Sequence, residues 1–78
     1  MKLRVTIIGQ RKNSDGIDFC VRDSEGGEWL IVNCLMKNDF YGFIGYFGSL
    51  GRAKGGYNEG HLVHLNRISD DNWIMLIE

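Results

Sequence analysis

What most restricts the fold of this chain is a pair of alternating apolar blocks with a glycine-rich stretch between them. Leu3, Val5 and Ile7 alternate with Arg4 and Thr6. Period-two patterning over β-branched residues predicts a strand over residues 2–10. Arg11-Lys12-Asn13-Ser14-Asp15-Gly16 is turn chemistry ending in Asp-Gly. A second strand comes next over 17–23, with Ile17, Phe19 and Val21 on one face and Asp18, Cys20 and Arg22 on the other. Ser24-Glu25-Gly26-Gly27 supplies a tight hairpin connection. The third strand, 28–35, is apolar on both faces through Trp29-Leu30-Ile31-Val32, which places it centrally or inside a curled barrel.

The second block is a hairpin of residues 61–69 with 73–77 around an Asp70-Asp71-Asn72 turn. Its alternation slips where Leu62 and Val63 are followed by Leu65, which predicts a bulge or a crossing between layers. Trp73-Ile74-Met75-Leu76-Ile77 is apolar throughout and requires cover on both sides.

Between the blocks, Phe40, Phe43, Ile44, Phe47 and Leu50 recur at helical spacing, and Asn38 or Asp39 is positioned as a cap. That pattern predicts a helix over about 39–50. Opposing it, Gly42, Gly45, Gly48 and Gly51 fall every third residue, each costing about 0.8–1 kcal/mol against alanine in a helix interior. The alternative is an irregular aromatic-rich loop. The expected class is therefore α+β and mostly β: five antiparallel strands in the order β-β-β-α-β-β. That order suits a small OB-like barrel or a curled sheet crossed by one helix, with an SH3-like barrel less suited because the 36–60 connection is long.

A chain of 78 residues supports one domain, residues 1–78, with most of its apolar side chains committed to a single core. Nine basic residues against ten acidic ones argue against a protein whose main task is neutralising many phosphates. Cys20 and Cys34 lie inside apolar runs and read as buried free thiols rather than a disulfide. The apolar stretch at the N-terminus is too short and too alternating for an export signal or a membrane span. A cytoplasmic protein with no membrane association is the expectation.

No spacing characteristic of catalysis is present, and neither a catalytic residue nor a cofactor is expected. His61 and His64 would fall on opposite faces of a strand, and with the two cysteines they match no closed zinc pattern, so no metal site is expected. Residues 51–60 hold Arg52, Lys54 and Tyr57 among glycines, which makes them the best ligand-loop candidates, although the phosphate-binding Gly-x-x-x-x-Gly-Lys spacing is missing. Tyr41 and Tyr46 lie off the apolar stripe and read as exposed aromatic anchors. Asp15, Asp18, Asp23, Glu25 and Glu28 fall within fourteen positions interrupted only by Arg22, and the Ser24–Gly27 turn, which carries Glu25, is expected to be an acidic tip at the opposite end from the Arg11–Gly16 turn.

These features favour a small non-enzymatic protein-interaction domain, of the build found among inhibitors, immunity proteins and phage or plasmid accessory proteins. It would bind a macromolecular partner through Tyr41, Tyr46, Arg52, Lys54, Tyr57 and Glu25. The alternative is a single-stranded nucleic-acid binder using Arg52, Lys54, Tyr57 and Tyr41 along a groove. The apolar last strand and crowded third strand also make a homodimer plausible.

Overall fold

The computed structural model describes residues 1–37, 41–48 and 60–78. Six antiparallel strands form a closed barrel: β1 (Lys2–Asn13), β2 (Gly16–Asp23), β3 (Glu28–Met36), β4 (Gly42–Phe47), β5 (Leu62–Ser69) and β6 (Asn72–Ile77). Each strand pairs with its sequence neighbour, and β1 closes the circle by pairing with β6 from Lys2↔Leu76 to Val5↔Trp73. The small barrel expected from the sequence is present. Its connectivity is an up-and-down meander, however, whereas an OB barrel is a Greek key.

The predicted helix is the main correction. Gly42–Phe47 is a strand, and no helix occurs among the described residues, so the five-strand count becomes six. Phe43, Gly45 and Phe47 face the interior at period two, but the middle member is a glycine and leaves no hydrophobic mark. The spacing of the phenylalanines alone remains visible, and it fits a helix equally well. The inward glycine has a steric cause: a Cβ on Gly45 would stand 2.5 Å from Cys34 Sγ and 2.8 Å from the Val32 carbonyl oxygen. At Gly48 a Cβ would meet Leu30 and Val32 on the outer face of β3 at 2.8 and 2.9 Å.

Bulges bend the long strands. A flat twelve-residue strand would run about 36 Å, longer than the largest dimension of the molecule, 29 Å. β1 avoids this with an extra residue, Ile8, between Ile7↔Val21 and Gly9↔Cys20. β3 carries its extra residue at Asn33, which takes a left-handed φ of 55° and shifts the register against both neighbours. The Asp18 carboxylate secures this bulge by accepting the Asn33 N–H at 3.1 Å and the Asn13 amide at 2.8 Å. In β5 the slip lies at Ile68, between Arg67↔Trp73 and Ser69↔Asn72. The expected irregularity at Leu62-Val63 is thereby corrected: residues 62–65 alternate regularly, with Val63 and Leu65 buried.

The interior is Val5, Phe19, Val21, Trp29, Ile31, Cys34, Phe47, Val63, Leu65, Met75 and Ile77. The two ends of the barrel differ. At the end formed by the β2–β3 turn and both termini, Trp29 stacks on Phe47 with centroids 5.3 Å apart. The Trp29 indole N–H donates to Asp23 Oδ2 at 2.9 Å, while Asp23 Oδ1 accepts the N–H groups of Glu25 and Gly27, both at 2.9 Å. This end is plugged. At the opposite end, where the β1–β2 and β5–β6 turns lie, Phe43 meets Phe19 at 4.7 Å and Trp73 at 6.0 Å, and both Phe43 and Trp73 are only half-buried.

Candidate functional site

The unplugged end opens into a cleft of about 390 Å³ lined by Ile7, Gln10, Ile17, Phe19, Met36, Phe43, Arg67 and Trp73. Its existence arises from strand lengths. β6 starts at Asn72, so β1 loses its partner on that side after Val5↔Trp73 yet continues to Asn13 beside β2. The wall parts there, and among the described residues nothing plugs the end, so the inward-facing Phe43 and Trp73 are only half-buried over a buried Phe19. The volume lies in the lower part of the range for ligand pockets and the lining is mostly apolar and aromatic. Met36 (57% exposed), Ile68 (54%) and Tyr41 (70%) stand at the same end. Polar groups at the rim are engaged with each other: Arg67 pairs with Asp70 at 2.8 Å and Lys37 donates to the Asn66 side chain.

The expected site residues are dispersed. Tyr41 lies at the open end, its carbonyl accepting the Arg67 N–H at 2.8 Å. Tyr46 sits on the outer face of β4, paired with Val32 and Leu62 toward the plugged end. Glu25 is exposed at the apex of the β2–β3 turn, at the plugged end. Arg52, Lys54 and Tyr57 fall outside the described residues. Tyr41 and Tyr46 are thus not one surface, and Glu25 and Tyr41 occupy opposite ends of the barrel.

The expected acidic tip has Glu25 exposed at the apex of the β2–β3 turn, while its neighbouring carboxylates are engaged within the fold or in an ion pair. Asp23 is turned inward against Trp29, Asp18 holds the β3 bulge, and Glu28 pairs with Arg22 at 3.2 Å across β2 and β3. Asp23 and Asp18 thus serve the fold, whereas Glu28 stays at the surface in an exposed pair with Arg22. Conversely, sequence reading missed Phe43, Trp73, Phe19 and Met36 as a site: the three aromatics sit on apolar faces that read as ordinary core, and Met36 falls just past the expected third strand, 28–35. The mismatch between the lengths of β1 and β6 leaves Phe43 and Trp73 half-buried over a buried Phe19, and that mismatch is a matter of register.

Other chemistry at the described residues is sparse. Both cysteines are free. Burial pushes the Cys34 thiol up to about 12, with the Asp18 carboxylate adding to the effect. The Cys20 thiol is also raised, first by desolvation and then by Glu28, with Arg22 opposing. It lies in a second cleft, of about 330 Å³, on the outer surface between Gly9, Arg11, Asp18 and Leu30. Neither environment favours the thiolate that nucleophilic chemistry requires. His64 engages Glu78 at 2.8 Å, and no group of three or more metal-ligating side chains occurs among the described residues. No helix there is long and apolar enough to cross a membrane.

No family model, curated protein or solved structure matches the chain.

Proposed function

We propose that this chain is a small non-enzymatic protein-interaction domain that engages its partner through the open mouth of the barrel. The observation that carries the reading is the asymmetry of the two ends. One is sealed by Trp29 and Asp23. The other leaves Phe43 and Trp73 half-buried around a cleft, with exposed Met36 and Tyr41 beside it. A chain this short has few large apolar residues to spare from its core. Leaving several of them at one end costs stability that a bound partner would restore. Buried aromatic anchors surrounded by more polar groups are the usual energetic centre of a protein interface.

A partner-capture experiment with two variants tests this. Met36→Glu places a charge at the mouth, whereas Tyr46→Glu places one on the outer face away from it. The expected result is a stoichiometric protein partner retained by wild type and Tyr46→Glu and lost by Met36→Glu. Equal retention by both variants would rule out the mouth as the contact. Capture of no protein, together with oligonucleotide binding that weakens steeply with salt, would replace the reading with the nucleic-acid alternative.

A further inference from the structure

Where β1 outruns β6, it leaves a strand edge that nothing pairs with among the described residues. The orientation of its backbone groups is set by the hairpin. Asn13 and Gly16 close a two-residue turn, so they form a hydrogen-bonded pair, and the register from Gly9↔Cys20 to Asn13↔Gly16 is unbroken. Residues 9, 11 and 13 therefore point their N–H and C=O groups at β2. Those of Gln10 and Lys12 point outward, to the free edge. The side chains obey the same alternation. Gln10 faces Phe19 and Lys12 faces Ile17, on the side of the sheet that looks into the cleft, while Arg11 lies outside with Asp18. An unpaired edge beside an apolar cleft is the arrangement used for strand addition, in which main-chain bonds supply affinity and alternate side chains supply specificity.

Resting on the proposed interaction at the mouth, we propose that the partner docks as an extended segment that adds to the β1 edge antiparallel to it, continuing the line of β6. Charge fixes the chemistry of that segment. The exposed edge carries Lys12 beside Arg11, which pairs with Asp18 on the outer side, whereas the β5–β6 turn, where the added strand would end, carries Asp71 beside Asp70, which pairs with Arg67. The residue opposite Lys12 is then acidic. The residue two positions later, opposite Gln10, is large and apolar and lies over Phe43 and Trp73, and the partner residues beyond it, nearest the turn, are not acidic. The basic edge also disfavours a second copy of β1, which would bring four cations together.

The test is a display selection of random decapeptides on the whole chain, followed by binding and amide hydrogen exchange with the enriched peptides. The expected enrichment is an acidic residue two positions before a large apolar one. The bound peptide should slow exchange at the Gln10 and Lys12 amides. Lys12→Glu should weaken it by about fivefold, with recovery when the acidic residue is made basic. Gln10→Pro, which removes one outward N–H at an edge where proline is tolerated, should weaken it by about tenfold. Enriched peptides that shift Trp73 emission but leave those amides and both variants unaffected would overturn edge addition while leaving the mouth as a binding site. A dimer by light scattering with Gln10 and Lys12 already protected would overturn it in favour of a second copy. No enrichment with a monomeric chain would count against both readings.

Discussion

Asp23 shows how one side chain decides the shape of an end. Its carboxylate accepts two backbone N–H groups of the β2–β3 turn and the buried Trp29 indole. Gly27 is required beside it, because a Cβ there would stand 2.7 Å from Asp23 Oδ2. Asp23→Ala leaves the buried Trp29 indole N–H and the buried Gly27 amide without acceptors, along with the partly exposed Glu25 amide, and each buried group costs about 1–3 kcal/mol. The expected loss in urea unfolding is about 2–6 kcal/mol. A near-neutral result would show that the turn and the indole find other acceptors. Cys34 gives a second prediction at this scale. Its folded thiol titrates at about 12 against an ordinary 9.0, so between these values the unfolded chain has released a proton that the folded one keeps. Stability should therefore fall as pH rises through that window. Cys34→Ala should flatten the decline in alkaline unfolding curves, and an unchanged slope would remove Cys34 as its source.

Among the elements, β4 has the sequence least suggestive of its structure. Gly45→Ala would force a methyl against Cys34 Sγ and the Val32 carbonyl. The expected cost is about 1–3 kcal/mol from overpacking, read as a lowered urea midpoint. Tolerance without loss would mean that β4 and β3 part easily. Strands β1, β2 and β5 were legible by alternation, β3 and β6 as short apolar runs, and the three turns joining them by their Gly, Asn and Asp residues. β4 was not, since an inward glycine substitutes empty space for the hydrophobic residue that would have betrayed its period. The bulges at Ile8 and Asn33 were equally hidden: each is a relation between strands, and the sequence of one strand does not contain it. Tyr41 alone among the expected site residues that the structure describes reached the open end. The aromatics of the cleft had no separate signature, because Phe19, Phe43 and Trp73 obey the same alternation as the core.

For the molecule as a whole, the strand lengths turn a closed barrel into one with a plugged end and an open one. β1 spans twelve residues and β6 six, so their pairing covers only Lys2 to Val5 and the wall divides beyond it. That division creates both the aromatic cleft and the β1 edge that is unpaired among the described residues, and the proposed function depends on it. The two tryptophans sit at opposite ends and report on them separately. Acrylamide quenching of the single-tryptophan variants Trp29→Phe and Trp73→Phe measures the asymmetry directly. Trp73, alone in Trp29→Phe, should emit to the red and be readily quenched, while Trp29, alone in Trp73→Phe, should emit to the blue and resist quenching. Equal protection of both tryptophans, or a more accessible Trp29, would contradict the division into a plugged and an open end.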